Sequence, residues 1–225
     1  AQAADELVAR ALQRRLDLHA AVHVQHRIGG AVIKHGARRA DAPHQLYATV
    51  AARAALGFDG TQPVVAVLPG SRRSEIEAIA PTFVATVALL ARLRPDLRFV
   101  LPVVPGLRAL VEPLIAQHAP DAPITLLDGR SHDALAACDV TLIASGTATL
   151  EAALFKRPMV IAYKMNALSW QIMKRMQLQP WVGLPNILCR EFVVPERIQS
   201  EATPRQLAAD VLAWLDAPQR GEALQ

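Results

Sequence analysis

The stretch VTLIASGTATLE, residues 140–151, decides how the rest of the chain is read. Its first five residues suit a buried strand, and the small residues after them suit a sharp turn into a helix. A strand ending this way aims unpaired backbone N–H groups and the positive end of a helix dipole at one point, which makes an anion cradle. Gly146 permits close backbone approach, and Ser145 and Thr147 can cap the helix or donate to phosphate oxygens. Glu151 lies one turn in, where a carboxylate reaches sugar hydroxyls. The pattern suits a nucleoside diphosphate. Ser-Gly-Thr before an apolar run is also an ordinary N-cap, and Glu151 can simply complement the dipole; on these residues alone that structural reading comes first, and the rest of the chain shifts the balance.

Working outward, strand-like runs at 63–68, 98–104, 124–127 and 158–163 alternate with helix-like segments. Ile76, Ile79, Phe83, Val87 and Leu90 form one stripe at spacings of three and four. Further helices are predicted at 107–118, at 131–137 with Ser131 as cap, at 167–178, and after Thr203, which caps with Pro204 first and Leu207, Val211, Leu212 and Leu215 inward. A short Ala-rich helix at 49–56 stops at Gly57. The alternation predicts an α/β fold: a doubly wound, mostly parallel sheet with right-handed crossovers, which binds ligands where the strands' carboxyl ends open into loops.

A second glycine-bearing turn, PGSRRSE at 69–75, comes after a predicted strand. Gly70 allows the tight turn, Ser71 offers a hydroxyl and a backbone donor at a helix start, and Arg72 carries a planar fork suited to a diphosphate. The Lys-Ser/Thr pair of a Walker loop is absent, which disfavours ATP hydrolysis. Taken singly, Arg72 reads as a surface residue; opposite a second cradle, an anion role fits better.

Composition narrows the classes. Hydrophobic residues make up 52% of the 225, enough for a sizeable core, and aromatics only 4%, which favours helices on a parallel sheet over a β-sandwich. The net charge is +4, of which residues 1–48 carry +3, so the basic balance argues little for nucleic acid and none is expected as a partner. Five of the seven histidines also fall there; His19, His23 and His26 have helical spacing but no acidic or cysteine companion, and no metal is expected. Cys138 and Cys189 lack metal-ligand spacing and fit buried, reduced thiols of a cytosolic protein. No apolar run approaches the roughly 20 residues of a membrane helix.

VLPGSRRSEI (67–76), LLDG (126–129), ASGTATLEAAL (144–154), PMVIAYK (158–164), LPNIL (184–188) and VPERIQ (194–199) occur together and in order. Over about residues 49–218 the chain thereby resembles the nucleotide-binding half of the lipid-A-disaccharide synthase family, membrane-surface hexosyltransferases of GT-B-like, two-domain architecture. The resemblance implies a Rossmann-like domain that binds UDP-2,3-diacylglucosamine as donor, with 2,3-diacylglucosamine 1-phosphate (lipid X) as acceptor. The implied products are the β-1,6-linked lipid A disaccharide 1-phosphate and UDP. It implies that Gly70, Ser71, Arg72, Ser145, Gly146 and Thr147 hold the diphosphate without a metal or other cofactor, and that Glu151 holds the ribose. Asn186 and Gln199 would address sugar or diphosphate oxygens, although Asn186 can simply stabilise a turn and Gln199 cap the segment after it.

Trp170, Lys174, Arg175 and Trp181 alternate aromatic and basic character, which suits either a surface on the cytoplasmic face of the inner membrane, or the donor's acyl chains, or an ordinary half-buried helix. Residues 1–48 read as an atypical leader, partly helical or poorly ordered, and 219–225 as a tail. The family's general base and acceptor site belong to an amino-terminal domain that 48 residues cannot build, so the chain reads as a fragment that binds UDP-sugar without turnover. An inactive UDP-sugar-binding remnant and another UDP-sugar transferase are the alternatives.

Overall fold

The computed structural model describes residues 42–58, 61–165, 170, 171, 175 and 180–217. The expectations for His19, His23, His26 and Lys174 lie outside these residues. A compact unit begins at Ala42. Its first helix, α1 (Ala42–Ala55), starts seven residues before the expected 49. Tertiary bonds tie it down: Arg53 donates to the Ala137 carbonyl (2.9 Å) and pairs with Asp139 (2.6 Å), whose carboxylate also accepts from the Val64 N–H (2.8 Å).

Strand and helix then alternate as β1 (Val64–Leu68), α2 (Arg73–Leu93), β2 (Arg98–Val103), α3 (Arg108–His118), β3 (Ile124–Asp128), α4 (Ser131–Ala137), β4 (Val140–Ala144), α5 (Ala148–Leu154) and β5 (Met159–Tyr163). Beyond these come α6 (Leu184–Cys189), β6 (Glu196–Ile198), a 3₁₀ turn (Gln199–Glu201) and α7 (Pro204–Leu215). Trp170, Gln171 and Arg175 are helical, within the stretch predicted to be a helix. The strands form one sheet in the order β3-β2-β1-β4-β5-β6, every pair parallel.

Side-chain alternation along the strands splits the core into two layers. Val65, Val67, Leu142 and Val160 face α2 and α7, where Ile76, Ile79, Phe83, Val87, Leu90, Leu207 and Val211 are buried. Val64, Ala66, Ile143 and Ile161 face the opposite way, onto Ala134, Leu135, Cys138 and Ala152. Strands buried on both faces explain the continuous apolar runs, and each fully buried Val, Leu, Ile or Phe contributes about 1.5–3 kcal/mol. Among the described residues α2 alone is long and apolar enough to cross a membrane, but its apolar stripe is spent on the sheet.

The expectations for Ser131 and Cys189 change, and LPNIL takes a form that the sequence left open. Ser131 does not cap α4: Arg130 precedes the helix in the left-handed region, and no side chain caps it. LPNIL forms α6, with Pro185 near its start, because Pro is tolerated in a first helical turn. Cys189, at the end of α6, is exposed rather than buried.

Candidate functional site

The strand order reverses between β1 and β4, since β1 is followed outward by β2 and β3 on one side and by β4, β5 and β6 on the other. In a wound parallel sheet the crossovers leave a crevice at that point, outside the carboxyl ends. Leu68 is in register with Ile143, so the turn carrying Gly70 and the turn carrying Gly146 leave adjacent strands at the same rim. Sequence alone places each turn after a strand; the topology makes them neighbours.

In the first turn Gly70 has φ +110°, a conformation that L side chains rarely adopt. A Cβ there would lie 2.9 Å from Glu75 Oε2, so the glycine's immediate use is to admit the Glu75 carboxylate. Glu75 accepts from the Ser71 and Arg72 backbone N–H groups (3.1 and 3.2 Å) and pairs with Arg72 Nη1 (2.8 Å). The donors expected to meet a diphosphate are therefore met here by an internal carboxylate, a partner that the residue types of the turn do not reveal. Arg72 remains 79% exposed against 15% for Glu75, so the guanidinium is free to turn toward a ligand while the carboxylate stays seated.

In the second turn Gly146 has φ +141° and nothing within 4 Å of an added Cβ, so open space adjoins it as close ligand approach requires. The Ser145 hydroxyl donates to the Val182 carbonyl (3.4 Å). Exposed Thr147 precedes α5 without a side-chain cap, and Thr149 Oγ donates to the Gly146 carbonyl (2.7 Å) instead. Because α5 has only seven residues, its dipole adds less than the sequence pattern implies, and the site rests on the crevice and its side chains. Glu151 Oε2 lies 3.2 Å from His132 Nε2 of α4, and the His132 ring packs on Phe155 at 5.5 Å between centroids. No sequence pattern marks His132; only the tertiary contact reveals it.

Asn186 is engaged in full by the protein itself, and half-buried Gln199 in part. Asn186 is fully buried, its Nδ2 donating to the Val194 carbonyl (2.9 Å) and Glu196 Oε1 (2.7 Å), its Oδ1 accepting from Val193 N (2.9 Å) and Val194 N (3.0 Å). With two donors and two acceptor positions all in use, nothing remains for a sugar. Buried Glu196 also accepts from Val182 N and Gly183 N (2.9 and 2.8 Å), and a Cβ at Gly183 would collide with Ile161 and lie 2.8 Å from Glu196 Oε1. This polar knot anchors the segment whose Val182 carbonyl meets Ser145. Gln199 pairs both ends of its amide with the Met165 backbone, Oε1 accepting from N–H (3.3 Å) and Nε2 donating to C=O (3.2 Å).

Trp170 is half-buried and Arg175 exposed. Trp181 is half-buried and meets Phe192 edge-on at 6.3 Å, which places Trp181 in the segment anchored by Glu196. Among the described residues no cluster of three His, Cys, Asp or Glu side chains is arranged for a metal.

A six-stranded parallel sheet wound in the order 3-2-1-4-5-6 is the Rossmann-like architecture, which takes ligands in the crevice at the reversal. The fold is shared with ADP-heptose lipopolysaccharide heptosyltransferase II of E. coli (TM-score 0.56, 12% identity, 77% of this chain and 52% of that one). It is shared also with the UDP-GlcNAc 2-epimerase of Neisseria meningitidis, solved bound to UDP-GlcNAc (TM-score 0.53, 14% identity, 78% and 43%). The sequence places the chain more narrowly. The model of the lipid-A-disaccharide synthetase family matches residues 40–223, wider than the expected 49–218. The lipid-A-disaccharide synthase of Albidiferax ferrireducens is 59% identical over 167 residues, 74% of this chain and 43% of that protein. The chain belongs to the lipid-A-disaccharide synthetase family. It spans under half the length of the curated relatives it matches, 43–47%.

Proposed function

We propose that this chain carries the donor-binding half of a lipid-A-disaccharide synthase, holding the UDP of UDP-2,3-diacylglucosamine in the crevice between β1 and β4. The acceptor is lipid X, and the products are the β-1,6-linked disaccharide 1-phosphate and UDP. The observation that carries the reading is the register of Leu68 with Ile143, which brings the Gly70 and Gly146 turns to one rim in a chain of this family. Arg72, with the N–H groups of the Gly146 turn and the hydroxyls of Ser145 and Thr147, neutralises the charge that develops on the leaving diphosphate, a task that needs no metal when donors are preorganised. Glu151 accepts from the ribose hydroxyls. Ser71 contributes its exposed hydroxyl, since its N–H is held by Glu75.

Inverting transfer also requires a base beside the acceptor hydroxyl and in-line placement of the two sugars. A GT-B enzyme supplies these from a second sheet across the cleft. The described residues hold one sheet, so these 225 residues purified by themselves are expected to bind UDP and form no disaccharide; turnover at rates typical of a complete synthase would sink this part of the proposal. The binding reading is tested by calorimetric titration with UDP of the chain, Arg72→Ala and Glu151→Ala. Loss of affinity in both variants supports it, and heats unaffected by either change mean the nucleotide sits elsewhere. The chain acts at the cytoplasmic face of the inner membrane, where Trp170, Lys174, Arg175 and Trp181 meet anionic lipid or acyl chains. Co-sedimentation with anionic liposomes should fall in Trp170→Ala and Lys174→Glu; unchanged partition of both variants removes that surface.

A further inference from the structure

Lys164 comes directly after β5, and β5 lies beside β4 with Ala162 in register with Ala144. Two residues further along each strand, Lys164 and Gly146 leave the sheet at the same rim. Lys164 Nζ donates to Thr82 Oγ1 (2.8 Å) of α2, the helix that begins in the Gly70 turn. Among the described residues no carboxylate lies within ion-pair range of it, in contrast with Arg72, Arg94, Arg108 and Arg197, each of which is held by an acid. Half-buried and met by a hydroxyl alone, the ammonium loses hydration without a compensating charge, and this desolvation lowers its pKa. The segment beside it is held with some care: Gln199, itself at φ +54°, closes its amide on both backbone groups of Met165.

We propose that Lys164 is a further anion-binding group of the crevice, swinging on its four-carbon stem from Thr82 to a phosphate oxygen of the bound nucleoside diphosphate. The inference rests on the UDP reading above. An uncompensated cation at a ligand rim is a cost to the empty domain that an arriving anion offsets, which is why strained or desolvated charges gather at functional sites. Lysine suits the task as a compact charge with rotatable donors, complementing the planar fork of Arg72.

The experiment compares the 225-residue chain with Lys164→Met, Lys164→Arg and Arg72→Ala, using calorimetry for UDP, ligand-observed NMR for uridine, and thermal melts. Lys164→Met is expected to weaken UDP by about tenfold or more, the scale of one charge-assisted hydrogen bond, while uridine stays within about twofold. Lys164→Arg recovers part of the UDP affinity. The melting temperature of Lys164→Met stays level or rises, because an uncompensated charge has been removed. The inference is overturned if Lys164→Met binds UDP like the parent, or if it loses UDP and uridine equally with a lower melting temperature, the mark of a packing role. If Arg72→Ala weakens UDP and Lys164→Met does not, this inference alone fails. If the parent chain does not bind UDP, the site reading fails and takes this inference with it.

Discussion

Replacing Asn186 with alanine separates a scaffold amide from a ligand-binding one. The native amide uses all four of its hydrogen-bonding positions at 2.7–3.0 Å in a fully buried site. Truncation leaves Val194 N and the Val194 carbonyl unpaired, strips Val193 N back to its bond with the Glu191 carbonyl (3.1 Å), and deprives Glu196 of a donor. Each of the two orphaned buried groups costs about 1–3 kcal/mol, and water entering the small space made by truncation recovers part of that, so a net loss of about 2–4 kcal/mol is expected. For a chain of this size about 2–4 °C of melting temperature goes with each kcal/mol, so the variant should melt roughly 10 °C below the parent. Asn186→Asp keeps the shape but sets a carboxylate against Glu196, and should be at least as damaging. The assay is thermal unfolding followed by circular dichroism, with UDP affinity measured well below the transition. A melting temperature within a few degrees of the parent, accompanied by a loss of UDP affinity, would refute the reasoning and return this amide to the sugar.

Gly70→Ala forces a Cβ onto φ +110° and against Glu75, costing about 2–4 kcal/mol, whereas Glu75→Ala removes a helix-start partner for about 1–2 kcal/mol. Because one change obstructs what the other removes, urea unfolding of the double variant should show less than the sum; strict additivity would contradict the contact. Burial pushes the Cys138 thiol up to about 11, so a disulfide reagent at pH 8 should titrate exposed Cys189 quickly and Cys138 only on unfolding. The raised value means that the folded state keeps a proton the unfolded chain has lost, so stability should fall as pH rises from about 9 to 11, and fall less steeply in Cys138→Ala. Asp139→Ala strips Arg53 and the Val64 N–H of a shared acceptor, one that is 40% exposed, so a loss of about 1–2 kcal/mol is expected together with faster proteolysis within 42–58. Unchanged cleavage there would mean that α1 is held by other contacts.

The sequence by itself determined the class of fold and the whereabouts of its turns. Apolar runs such as VVAVL, and the stripe of Ile76, Ile79, Phe83, Val87 and Leu90, record burial through spacing between near neighbours, and Gly57, Gly70 and Gly146 mark where the chain bends. Those signals are local, so they survive without knowledge of the whole. Only the tertiary structure decided that β1 and β4 are neighbours, that Glu75 occupies the donors beside Gly70, that Asn186 turns inward while Gln199 grips the Met165 backbone, and that His132 meets Glu151. A polar side chain written in sequence offers donors and acceptors but not their recipients. Which partner it meets is set by strand order and register, and those form only when distant segments close on one another.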